Sequence, residues 1–190
     1  MHSVPASYPR FPPERVFVKL RIAVVFAAAS LAIAAFGHAP ARAQSLMGGN
    51  LPIDGIRCDT TEGAVEHIHT HLQIFNRGRG VEVPAQVGIM PIAGCLYWVH
   101  THSNDGVIHI EAPAVRTFTL GQFFDIWGQS LNRSQAGSVR ARRGRALRFT
   151  VNGRAWSGDP RSIPLRDREE IVIQNGPPYG TPRAADWSKL

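Results

Sequence analysis

Six of the eight histidines in this chain fall between positions 67 and 109, and most of them are spaced two residues apart. The stretch reads HIHTH at 67–71 and HTHSNDGVIHIE at 100–111. Successive side chains on a β-strand point to opposite faces, so residues at i and i+2 share a face. The spacing therefore predicts strands, with His67, His69 and His71 on one face, His100 and His102 on another, and His109 beside Glu111. The apolar residues keep the same phase. Ile68, Leu72 and Ile74 oppose His67, His69, His71 and Gln73, which describes a half-buried strand whose polar face is rich in imidazole.

Turn chemistry divides the rest of this region. Asn76-Arg77-Gly78-Arg79-Gly80 reads as a turn into a return strand at Val81, and Val87 to Pro91 as an extended connector. Cys95 to His102 is a further apolar run, Asn104-Asp105-Gly106 is a turn, and Val107 to Glu111 alternates again. A connection this short makes the His100/His102 and His109/Glu111 segments antiparallel neighbours, within cross-strand reach. From Thr119 to Leu131 the period changes to about 3.6, with Leu120, Phe123, Phe124, Trp127 and Leu131 on one stripe. Thr119 followed by Gln122 is a capping-box start. This helix is expected to cover the sheet. Leu147 to Val151 runs into Asn152-Gly153, a hairpin signal, and Ile163-Pro164-Leu165 and Glu170 to Ile173 are two more short strands. The order predicts an α+β fold, a small mixed or antiparallel sheet covered by one main helix and β-grasp-like, with a partly open β-barrel as the alternative.

The two ends read differently. Arg10, Arg15, Lys19 and Arg21 precede an apolar run from Ile22 to Phe36, and Ala41-Arg42-Ala43 precedes Gln44. That is the pattern of a secretory signal peptide over 1–43, cleaved after Ala43, and it predicts a periplasmic or secreted protein. Residues 44–66 read as a loop-rich entry segment, 67–176 as a single domain and 177–190 as a proline-rich flexible tail. Of the formal charge of +7, the leader holds five basic residues and one acid, leaving +3 on the remainder. So mild a charge gives no case for nucleic acid. The basic run Arg140, Arg142, Arg143 and Arg145 suits a solvated loop, another periplasmic protein or an anionic membrane surface. In an oxidising compartment the only two cysteines, Cys58 and Cys95, are expected to pair, although either thiolate is also a possible metal ligand.

The histidines carry the chemistry. Neutral imidazole is a borderline-soft donor for zinc, copper, nickel or iron, and a tetrahedral site takes three or four donors. The candidate ligands are His67, His69, His71, His100, His102, His109, Glu111 and Asp105, with His100, His102 and His109 as the nucleus. The bland alternative is a polar sheet face whose imidazoles bond to Thr70, Thr101, Gln73 and backbone. Beyond the leader only Met47 and Met90 offer thioethers, which argues against a methionine-based copper(I) site and leaves copper(II) or zinc. Three functions follow: a binding protein that buffers, senses or delivers metal; a metal-dependent hydrolase or oxygenase with Glu111 or Asp105 as general base; and a metal-free pH-responsive interaction module. The cupin pattern fails, because LQIFN follows His71 where that pattern needs a glutamate, and GxSxG, HExxH and phosphate-loop motifs are absent.

At HTHSNDGVIHIE followed by FTLGQFFDIWG the chain resembles a set of exported bacterial histidine-rich domains. These share an HxH segment, an HTH…GxIHxE segment and the aromatic helix. The resemblance spans residues 67–131. It implies a common domain and brings no activity with it.

Overall fold

The computed structural model describes residues 51–190. The expected signal peptide over 1–43, its cleavage after Ala43, and Met47 lie outside these residues.

Strands dominate. In chain order they are β1 Cys58–Asp59, β2 Glu66–Asn76, β3 Arg79–Val81, β4 Ile89–Met90, β5 Cys95–Tyr97, β6 Val99–His100, β7 Val107–Ala112 and β8 Phe118–Thr119. After the helix α1 Leu120–Ile126 come β9 Leu131–Asn132, β10 Gln135–Ala136, β11 Val139–Arg140, β12 Arg148–Val151, β13 Arg154–Ala155, β14 Pro164–Leu165 and β15 Glu169–Asn175. The main sheet runs β13-β12-β15-β2-β7-β6, with β3 paired to the far end of β2. β2 is antiparallel to β7 and β3 but parallel to β15, so the sheet is mixed, and it does not close into a barrel.

Local chemistry explains the hairpins. Arg77 and Gly78 take φ of 51° and 80°, and Asn152 and Gly153 take 48° and 76°, the paired positive dihedrals a two-residue hairpin turn requires. The alternation read at 67–74 puts Leu72 and Ile74 in the core. They join Ile108 and Ile110 of β7, Ile171 and Ile173 of β15, and the aromatics of α1 in one apolar cluster.

Thr119 caps α1 as expected: the Gln122 amide donates to Thr119 Oγ1 at 3.4 Å and the Thr119 amide donates to Gln122 Oε1 at 3.0 Å. The helix is shorter than the apolar stripe implies. Gly128, at φ 70°, enters the left-handed region just after the Trp127 cap, which ends the helix. Leu131 remains buried, but as the first residue of β9. Phe123 and Phe124 are fully buried and face Trp127 at ring separations of 5.9 and 5.2 Å. Each such ring contributes roughly 1.5–3 kcal/mol of burial.

The apolar run at 95–102 is broken at Trp98. Its first part, β5, pairs with β1 and β4 in a small sheet, and its second part, β6, joins the main sheet. Cys58 and Cys95 form a disulfide inside that small sheet, with Cα atoms 5.4 Å apart. No helix among the described residues is long and apolar enough to cross a membrane. Arg140, Arg142, Arg143 and Arg145 are exposed. The C-terminal segment runs back along the polar face of β2 and β15. There the Gln73 amide donates to the Arg183 carbonyl at 2.8 Å, and the Arg183 and Ala185 amides donate to Gln73 Oε1 at 2.9 Å and Glu170 Oε1 at 2.8 Å.

Candidate metal centre

Strand register gathers the histidines. His69 lies opposite His109, His109 opposite His100, and His67 opposite Glu111. Directly opposed residues of an antiparallel pair point the same way, about 4.5–5.5 Å apart at Cβ. His69, His109 and His100 therefore form a row across β2, β7 and β6, and His67 and Glu111 form the next row. His102 lies two residues beyond β6, with its ring 4.7 Å from that of His100 and 4.5 Å from that of His109. The opposite side of β7, through Ile108 and Ile110, faces the apolar core.

A seventh residue arrives from outside the strands. The segment 59–65 crosses the histidine face, and several bonds fix it. Cys58 is tied to Cys95, the Trp98 indole donates to Asp59 Oδ2 at 2.7 Å, and the Gly63 and Val65 amides donate to the carbonyls of Glu111 and Ala112 at 3.3 and 3.2 Å. A Cβ on Gly63 would lie 2.2 Å from the Ala112 carbonyl carbon, so only glycine permits this approach. The result is Glu62, half exposed, with Oε1 3.7 Å from His102 Nε2. Sequence reading missed Glu62. Its signal was indirect: it lies four residues after a cysteine bonded to the segment that carries His100.

Two groups of donors result. The ligand atoms of His67, His69, His109 and Glu111 lie within 4.8 Å of one another, as do those of Glu62, His100, His102 and Glu111. Individual separations are 3.1 Å for His67 Nε2 to Glu111 Oε1, 3.7 Å for His109 Nδ1 to the same oxygen, 3.6 Å for His100 Nε2 to Glu111 Oε2 and 3.1 Å for His100 Nε2 to His102 Nε2. Donors about 2.0–2.1 Å from a tetrahedral ion stand about 3.3 Å from each other. The observed spacings bracket that value.

Burial makes the arrangement costly without a partner. His109 Nδ1 and Glu111 Oε2 are buried and make no hydrogen bond. Buried polar atoms are almost always satisfied, and one left alone costs roughly 1–3 kcal/mol. Glu111 is 4% exposed, and burial, reinforced by the Glu62 carboxylate, raises its pKa above the ordinary carboxylate value. Burial also lowers His100 to about 4, and burial together with the neighbouring His102, His69 and His100 lowers His109 to about 3. His69 is lowered too, again mainly by burial. A lowered imidazole pKa means the neutral, ligating form persists in acid. His100 Nδ1 lies 2.8 Å from the Tyr97 carbonyl and donates to it, which leaves the Nε2 lone pair facing His102 and Glu111. We expect the imidazoles of His100 and His109 to remain neutral at pH 5 in metal-free protein, where an ordinary histidine is largely charged. Imidazole 15N chemical shifts followed against pH check this; titration of both near 6.5 would contradict it.

His71 and Asp105 belong to neither group. Both ring nitrogens of His71 face oxygen acceptors, Nδ1 on Glu170 Oε2 at 2.6 Å and Nε2 on the Asp105 carbonyl at 3.1 Å. The Asp105 carboxylate accepts from the Val107 amide at 3.0 Å and so closes the turn into β7. Cys58 and Cys95, joined to each other, offer no thiolate. Comparison with known proteins finds no matching family model, no matching curated protein and no matching solved structure.

Proposed function

We propose that this protein is an exported transition-metal-binding protein that buffers, senses or delivers copper(II) or zinc through the histidine face of its sheet. The observation that carries the reading is the buried pair of unsatisfied atoms, His109 Nδ1 and Glu111 Oε2, set among four further imidazoles. Metal bound among these donors satisfies both atoms, and nitrogen with carboxylate oxygen is a donor set suited to either metal. The disulfide is consistent with an oxidising compartment and supports the export reading. The exposed arginines at 140, 142, 143 and 145 are our candidates for contact with an acidic partner or lipid surface. Parallel pairing of β2 with β15 is the feature that supports a β-grasp-like arrangement.

A metalloenzyme is the second reading. In its favour is a cavity of about 300 Å3 beside the cluster, lined by His67, His69, Asp167, Arg168, Trp187 and Leu190. Of the two proposed general bases, Glu111 is raised toward the useful range while Asp105 is engaged in its turn. The binding reading is preferred because protein donors line the solvent side of the cluster as well, through Glu62 and His102. The metal-free pH switch is weakest, since the lowered pKa values of His100 and His109 take two imidazoles out of the pH 5–7 range, and His69 is lowered as well.

The test uses protein produced without a histidine tag in an oxidising compartment. Elemental analysis is expected to find copper or zinc in the wild type and a reduced content in His100→Ala/His102→Ala. Equal content in both would remove the metal-binding readings.

A further inference from the structure

We propose that the cluster is built for two adjacent cations, with the carboxylate of Glu111 bridging them. The inference rests on the metal-binding reading above and goes beyond it in number and architecture. The two donor groups share Glu111 alone, so together they hold seven residues. A single zinc or copper ion is saturated by about four such donors, which would leave three side chains without a role. Divided at Glu111, the same seven give each cation three private donors and one carboxylate oxygen. That is the count a tetrahedral ion takes.

The two oxygens of Glu111 face different ways. Oε1 lies 3.1 Å from His67 Nε2 and 3.7 Å from His109 Nδ1, whereas Oε2 lies 3.6 Å from His100 Nε2. One position is thus bounded by Glu111 Oε1, His67, His69 and His109, and the other by Glu111 Oε2, His100, His102 and Glu62. The rings of His102 and His109, one from each group, are only 4.5 Å apart, so the positions are adjacent. Carboxylate bridges hold paired metal ions about 3.5–4 Å apart. Oε2 is the atom that most needs this partner, because it is buried and makes no hydrogen bond. Each position also has an exposed donor side chain, His67 at 58% on one side and His102 at 44% with Glu62 at 52% on the other. Each cation therefore has its own route from solvent.

The experiment is a Zn2+ titration of the untagged, chelator-stripped protein with its disulfide intact, read by equilibrium dialysis and elemental analysis. Wild type is expected to saturate at two Zn2+ per chain. His67→Ala/His69→Ala and Glu62→Ala/His102→Ala are each expected to saturate at one, and circular dichroism checks that both stay folded. A measurement on the wild type alone guards against unfolding of the variants. Two Cu2+ ions sharing a carboxylate couple magnetically, so at two equivalents the electron paramagnetic resonance signal should integrate to clearly less than two spins. Saturation of wild type at one ion would overturn the pair and leave metal binding intact. Two full, uncoupled Cu2+ signals would overturn the bridge. Loss of both ions from each folded double variant would indicate one shared position and overturn it too. No binding at all would remove the underlying reading as well.

Discussion

Glu111→Gln is expected to abolish tight metal binding while leaving the metal-free protein as stable as wild type or more so. The two effects have opposite signs for one reason. Glu111 is buried, one of its oxygens makes no hydrogen bond, and burial holds its carboxyl above the ordinary pKa. Keeping that group ionised inside the protein costs free energy that the neighbouring His67 and His102 offset only in part. Glutamine keeps the shape and removes the charge, so the metal-free fold is relieved of that cost. With metal present the balance reverses. The carboxylate belongs to both donor groups, and its replacement takes a ligand from each. Loss of a residue that merely orients a ligand lowers affinity by roughly 10–100-fold, and loss of this ligand should exceed that. Denaturant unfolding without metal and competitive titration against a chelator check the two halves. Parallel losses of stability and affinity would mean that Glu111 is a structural hydrogen-bond acceptor.

The second large effect belongs to the disulfide. Cys58 and Cys95 are 37 positions apart, and closing a loop of that length stabilises the fold by about 4 kcal/mol on the chain-entropy account. Cys58→Ser/Cys95→Ser should lower the unfolding free energy by about that amount, and Tm by roughly 8–16 °C for a domain of this size. Binding should weaken in step. The bridge fixes one end of the segment that carries Glu62, and hydrogen bonds to β7 hold the other end. Thermal unfolding and Zn2+ titration of the variant measure both. A variant as stable as wild type, or a destabilised one with undiminished affinity, would separate the bridge from the site.

Much of this was legible in the sequence because short-range rules govern it. The alternation at 67–74 fixed which side of β2 meets the core, Asn152-Gly153 marked a hairpin, and Thr119 with Gln122 marked the start of α1. The close spacing of His100 and His109 across one turn was enough to predict their pairing. What the sequence hid was set over long range. β15 lies beside β2, about a hundred residues away in the chain, and no local signal announces a parallel partner. That partner decides the fate of His71, because Glu170 arrives on it and engages the imidazole that spacing alone would group with His67 and His69. Glu62 was hidden for a related reason. Its segment has no periodicity, and its position depends on a disulfide and on the close approach of Gly63 to Ala112. The end of α1 was local but ambiguous, since Leu131 keeps the helical phase although Gly128 has already turned the chain.

The central claim is that imidazole nitrogens and carboxylate oxygens from β2, β6, β7 and the 59–65 segment hold a metal ion together. X-ray absorption at the K-edge of the bound metal, on untagged wild-type protein, tests it most directly. The account predicts a shell of nitrogen and oxygen at about 2.0–2.2 Å with the outer scattering of several imidazole rings. A shell of water oxygens without imidazole scattering, or sulfur at about 2.3 Å, would contradict it.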